Sequence, residues 1–443
     1  MNDMAMFNFC TDPLYELQIM RYIVLMIVLA ITVSCGDGRP SITDPQDYNM
    51  FLVSHPLETG SEYFKRWNSK IGPDSLELGS FGVVASEYTR YFKQTGDIQY
   101  LIKAEKALSK ASQIAQIGKA GYQRALARNY LAQHRFSEAL QLTCAARKIG
   151  GGVEKTHALF FDVHMELGNF RTARDYLDSI GNSNGFDYLV RMAKWKVHNG
   201  DLRAALKHME KATGKAEATR NTGLILWSYT LLADYYGRFG QIERSYKHYL
   251  KALQLDPRNA HAKKGIAWIV FSFEKNPKEA MRIMDSVTKT YQAPDYYLLK
   301  AEIAAFEKDE ITSLYNLDEY YMAVQNPYYG DMYNVYNVDL YVERTEQYER
   351  AFKLAKREVA KRPTPRSYGL LAYTYLKMGK KTQALQVVEQ YVHKRSFEPV
   401  VLYHTAEIFK ANGDSVKVKQ LKKDLLRSRF QLGPLLEDKV LKL

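Results

Sequence analysis

Ten short breaks recur along this 443-residue chain at a nearly constant interval, and that period limits the fold more than any other feature. They fall at Gly96, His134, Gly168, Gly200, Gly240, Lys275, Lys308, Glu346, Gly379 and Gly413, spaced 32 to 40 residues apart. Between breaks, apolar residues follow helical spacing. In WSYTLLADYYGRFGQIERSYKHYLKALQLDP, Trp227 to Pro257, Tyr229, Leu232, Ala233 and Tyr236 make one stripe, and Ser245, Tyr249 and Ala252 make a second. In most units a small residue stands five places after the break: Ala139, Ala173, Ala205, Ser245, Ala280, Ser313, Ala351 and Ala384. A sharp turn between antiparallel helices favours glycine, as at Gly240, and a proline such as Pro257 stops the second helix. The period therefore predicts a chain of stacked helix pairs.

These stripes resemble the tetratricopeptide repeat, with an aromatic, Leu, a small residue and an aromatic on one helix. Small, aromatic and small residues come next on the second. The resemblance implies an all-α, right-handed superhelical α-solenoid of about ten helix hairpins over residues 82–430. Residues 47–81, with Phe64, Trp67 and Ile71, are expected to form N-terminal capping helices. Residues 431–443 are expected to cap the other end, after the amphipathic KQLKKDLLRSRF is broken at Gly433-Pro434. The Tyr-rich unit around 309–346 departs furthest from the pattern and predicts irregular or lengthened helices.

RYIVLMIVLAITVSCGDG, Arg21 to Gly38, holds an eleven-residue apolar run, Ile23–Val33, too short for a span of roughly 20 residues. A charge before the run and small residues after it are the pattern of a secretory signal over residues 1–34. Ser34-Cys35 followed by Gly-Asp-Gly resembles the lipobox of bacterial lipoproteins, which implies acylation at Cys35 and a tether over 35–46. Thr32 stands where that family usually has Leu, and an ordinary signal cut elsewhere would leave Cys35 unmodified. Residues 1–19 carry Asp3, Asp12 and Glu16 and no cation, so translation is expected to start at Met20. By resemblance to proteobacterial lipoprotein sorting, Gly36 after the cysteine, with no aspartate there, implies the outer membrane.

Formal net charge is +13, unevenly spread. Residues 291–350 hold twelve acids against four bases and twelve of the 33 tyrosines, whereas residues 351–443 hold twenty bases against eight acids. In an exported lipoprotein the basic end reads as a solvated or lipid-facing surface, with no nucleic acid as partner. Cys144, the one cysteine outside the leader region, is expected to be a buried, inert thiol.

No phosphate-binding GxxxxGK[ST], HExxH, GxSxG or paired CxxC occurs, so neither an enzyme nor a cofactor or metal site is expected. His157, Asp162, His164 and Glu166 come nearest to a metal set. In repeat register both histidines take aromatic positions between helices, which favours packing. Acid pairs such as Asp309-Glu310 and Asp318-Glu319 read as surface.

Function then rests on the concave face, where tetratricopeptide arrays commonly hold a partner segment. Carried over by register, the groove positions are Arg124, Arg128, Lys155, Asp162, Lys194, Trp227, Asp234, Arg238, Tyr333, Tyr336, Arg366, Tyr373 and Lys377. Cations with aromatics suit an acidic or carboxylate-bearing peptide. The expectation is a membrane-anchored interaction scaffold of the cell envelope that docks a peptide or protein. The alternative is a glycan-binding lipoprotein resembling the starch-utilisation type, with its site in the Tyr-rich 315–341 segment.

Overall fold

The structure is a computed structural model, and it describes residues 41–53, 61–72 and 74–443. The signal, Cys35 and residues 36–40 of the tether lie outside the described residues. The chain divides into two units between residues 41 and 42. The described residues of the second unit, from Ile42 onward, form helices and no strand.

The described residues of this unit form ten helix pairs in succession. They are 78–95 with 98–114, 119–132 with 136–149, 153–166 with 170–178, 186–198 with 202–218, and 222–238 with 242–255. Then come 260–268 with 277–288, 295–306 with 310–324, 334–343 with 348–361, 365–377 with 381–391, and 399–411 with 415–427. All ten breaks read from the sequence have left-handed backbone. Six are glycines; His134, Lys275, Lys308 and Glu346 adopt φ of 52° to 61° with a side chain attached. The small residue five places on is fully buried in each of the eight units that carry one. There two helices approach closely, and a larger side chain would hold them apart.

In the Tyr-rich unit the helices are regular and of ordinary length, and the irregularity lies in the connection between them. A 3₁₀ turn, Pro327–Tyr329, separates its second helix, Glu310–Val324, from the next first helix, Asn334–Glu343. Tyr320, Tyr329 and Tyr333 are buried there, in one cluster with Ile98 and Leu101 from the first pair.

That cluster belongs to a larger pattern. In pairs one, three and four the turn meets the loop before the pair six units on, and in pair five it meets the start of the last helix, 193 to 197 residues away. The Gln292 N–H donates to the Thr95 carbonyl at 2.6 Å. A Cβ on Gly168 would lie 2.7 Å from the Pro363 carbonyl oxygen, and one on Gly200 would lie 2.7 Å from the Phe397 ring. The Arg362 guanidinium pairs with Glu166 at 2.6 Å, and the Gln431 amide donates to the Arg238 carbonyl at 3.3 Å. The superhelix thus winds tightly enough for successive rounds to touch edge to edge along a seam.

The structure departs from three expectations. Of the N-terminal helices, Glu62–Asn68 packs on the first pair, but Pro45–Leu52 does not cap it. That helix docks on the second helices 242–255 and 277–288, burying Tyr48 and Phe51. Glu274 accepts from the Ile42 and Thr43 amides at 2.7 Å, and Tyr48 donates to Glu279 at 2.6 Å. The last helix, Arg429–Leu441, packs on the last pair, with Leu432 and Val440 against Val418, Leu421 and Leu425, but it does not stop there. It turns back into the concave face, because Gly433 (φ 74°) lets the backbone pass the Trp268 ring. Cys144 is exposed, since Ala139, Thr143 and Ala146 take the buried face of its helix.

Candidate partner-binding groove

The inner wall is built from the first helices, and it is already partly filled. The last helix lies along it: Trp268 Nε1–H and Ser272 Oγ–H both donate to the Phe430 carbonyl, at 2.9 and 2.8 Å. Lys275 reaches Glu437 at 2.9 Å, and Lys439 reaches Glu343 at 2.6 Å. A Cβ on Gly237 would lie 2.7 Å from the Phe430 ring. Pairs five to eight therefore hold a segment of their own chain where the register predicts a foreign one.

Glu302, beneath this helix, has its carboxyl pushed up to about 7 by burial, only partly offset by Arg344 and Lys264. Asp339, one first helix further on, is also raised to about 7 by burial, against the pull of Arg366. Its Oδ1 is buried and accepts no hydrogen bond.

The stretch over pairs two to four stays polar. Arg124 and Arg128 share a helix face, as their spacing requires, but they differ in role. Arg124 is buried and donates to the Gly151 carbonyl at 2.9 Å and to Thr156 Oγ at 3.2 Å, locking the next loop. It is therefore not open to a partner, and the two guanidiniums do not act as a pair. Arg128 is exposed and has no carboxylate within ion-pair distance among the described residues. Burial of its surroundings and the nearby Arg191 charge weaken its hold on its proton, while Asp162 and Asp187 oppose them.

Around it the other charges are matched. Arg191 pairs with Asp162 at 2.6 Å, and Lys194 with Glu166 at 2.9 Å. Burial lowers Lys194, but Glu166 and Asp162 outweigh it and hold the ammonium charged. Lys155 is exposed and Arg366 half-exposed, the latter 3.7 Å from Glu398.

The remaining register positions scatter. Trp227 is 44% exposed, its ring tilted against Phe186. Asp234 accepts from Tyr249 at 2.6 Å and contacts His261 at 3.0 Å; burial raises its pKa, yet His261 and Tyr249 bring it below the ordinary range. Arg238 is exposed. Tyr333 and Tyr373 are buried, so neither offers a platform; Tyr373 donates to Glu343, and Lys377 sits over its ring. Tyr336 keeps 39% of its surface. His157 and His164 both pack on Tyr176 of the second helix, at 5.7 and 5.6 Å.

Sequence reasoning misses the seam cavity of about 350 Å³ between the Phe170–His198 and Tyr368–Tyr391 stacks. It joins residues almost 200 positions apart, and no local pattern marks it.

The tetratricopeptide-repeat family profile matches residues 228–259 and 365–392. No curated protein sequence matches the chain. Among solved structures it is similar to a tetratricopeptide repeat protein from Parabacteroides merdae, at 15% identity and a TM-score of 0.34, over 58% of this chain and 97% of that one. It is also similar to the APC/C hetero-tetramer Cut9–Hcn1, at 13% identity and 0.33, over 90% and 98%. PilW, a widely conserved type IV pilus biogenesis factor, aligns at 17% identity and 0.24, over 54% and 91%. The chain carries tetratricopeptide repeats, and its described helices form an all-α solenoid.

Proposed function

We propose that this chain is a lipid-anchored interaction scaffold of a bacterial cell envelope that docks an acidic segment of a partner protein on its concave wall. The observation that carries the reading is Arg128, an open guanidinium on a wall whose neighbouring charges are already matched. A guanidinium grips a carboxylate bidentately, and a concave setting strengthens the contact by excluding water. Exposed Lys155 and Trp227 lie further along the array, on the first helices of the third and fifth pairs. The last helix supports the reading in another way, since it is a worked example of a helical segment held by this wall.

The test is capture from detergent-solubilised envelopes by the wild-type chain and by Arg128→Glu/Lys155→Glu. A partner retained by the wild type and lost by a normally folded double variant is the expected result. Identical captured sets would remove the site. For the anchor, Cys35→Ala should release the protein from membranes or leave its precursor uncut. Wild-type protein found wholly soluble, with Cys35 unmodified, would refute it.

A further inference from the structure

The helix Glu310–Val324 is apolar on two opposite faces. Ser313, Asn316, Leu317 and Tyr320 are buried on one side, Tyr320 within the cluster that also holds Ile98, Leu101 and Tyr333. On the far side, Ile311, Leu314, Tyr315 and Met322 are 84%, 52%, 60% and 59% exposed. At 100° per residue these four fall within one sector, opposite the packed one. Large apolar side chains exposed elsewhere on the array stand mostly alone, and single ones need no explanation. A contiguous stripe does.

The cause is a break in the stacking. Every other second helix of the array packs on both its own first helix and the next one or, at the end, on the last helix. Glu310–Val324 packs extensively only on its own, because the 3₁₀ turn and the loop to Tyr333 carry the chain away before the next pair begins. Stacking does not account for the apolar residues left on its outer side.

Charge defines what covers them. The helix carries Glu310, Asp318 and Glu319, no Lys and no Arg, and none of its three acids has a cation within ion-pair distance among the described residues. Asp318 lies within the stripe itself, and Tyr315 is held protonated by Glu319 beside it. An anionic membrane surface would be repelled. From Ile311 to Met322 the stripe runs about 16 Å, close to three helical turns.

We infer that the outer face of Glu310–Val324 is a second docking surface, which receives a basic amphipathic helix from another protein. Leu- or Ile-type side chains of that helix pack on Ile311, Leu314 and Met322, while its flanking lysines or arginines pair with Glu310, Asp318 and Glu319. This surface is independent of the Arg128 wall and of opposite charge preference.

The probe is an 18-residue fluorescent peptide of Leu and Lys patterned as one amphipathic helix, with a Leu/Glu peptide of the same pattern as comparison. Fluorescence anisotropy should show the full chain binding the Leu/Lys peptide at least tenfold more tightly than the Leu/Glu one. Ile311→Ser/Tyr315→Ser/Met322→Gln should weaken that binding at least tenfold with unchanged circular dichroism, since these side chains are exposed and the fold does not rest on them. Arg128→Glu should leave it unaltered. Equal binding of both peptides, or no loss in the triple variant, would overturn the inference. So would a wild-type dimer in sedimentation velocity, or adhesion to phosphatidylglycerol vesicles, abolished by the same triple variant; each would assign the face to a second copy or to lipid.

Discussion

Ser245 Oγ donates to the carbonyl of Ala233, twelve residues earlier on the facing helix, at 2.8 Å, and Ser313 makes the same bond to Ala301 at 3.0 Å. The repeat calls for a small residue here, and serine satisfies it only because the facing backbone supplies an acceptor. Ser245→Ala should cost about 0.5–1.5 kcal/mol, the worth of one buried hydrogen bond without a cavity. Ala233→Phe, across the same contact, should cost roughly 1–3 kcal/mol by overpacking. Urea unfolding midpoints check both, and an unchanged Ala233→Phe midpoint would mean that this contact is not close-packed.

Lys308 holds φ 61° in a turn where six sister positions are glycine. Left-handed backbone costs a residue with a Cβ roughly 1 kcal/mol. Lys308→Gly should therefore raise stability by up to about 1 kcal/mol, and Gly413→Ala should lower it by a similar amount. Thermal denaturation of the two variants should move in opposite directions.

The seam makes a sharp claim about solvent exchange. The Gln292 amide donates across it to Thr95, not to its own helix. Hydrogen exchange at Gln292 should be slow in the wild type. It should accelerate in Gly96→Leu, whose Cβ would stand 2.6 Å from the Ala293 nitrogen and push the rounds apart. Fast exchange at Gln292 in the wild type would show that the rounds do not stay in contact.

Glu302 and Asp339 set a pH dependence. Both carboxyls stand near 7 in the folded chain against ordinary values of 4.5 and 3.8, raised by burial. Such a group binds more protons folded than unfolded, so its ionisation destabilises the array as pH rises from about 4 to about 7. His134 and His404, lowered by burial to about 4 and 3, act in the opposite sense and lose stability as pH falls below 6.5. The wild-type profile mixes the two, so the readout is the difference between chains. Glu302→Gln/Asp339→Asn should be more stable than wild type by roughly 1–3 kcal/mol at pH 8 and equal to it near pH 4. A constant difference across that range would exclude the carboxyls as its source.

The hairpins are legible in the sequence because their determinants are local. Gly168, Gly200 and Gly379 announce a left-handed turn by themselves, while His134, Lys275, Lys308 and Glu346 emerge through spacing alone. Register also places Arg128 on the inner wall. It does not show that Arg124, one turn away, is consumed by Gly151 and Thr156, because the acceptor carbonyl belongs to the next loop. Nor does it show that Gly433 clears the Trp268 ring, since those residues lie 165 positions apart and share no periodic pattern. Cys144 misleads for a smaller reason: its neighbours are apolar, but two of them, Ala139 and Ala146, already fill the buried face.

An open solenoid is a spring, in which each repeat feels only the one before and the one after, and strain is shared along a line. Contacts 193 to 197 residues apart give four units of the first round a further neighbour above them. Pulled at its ends, such a coil does not extend smoothly. The rounds must first part like the two sides of a zip, at Thr95–Gln292, Glu166–Arg362 and Gly237–Phe430 in turn. Its unfolding should be correspondingly sharp, with loss of any one of these units unseating another nearly two hundred residues away.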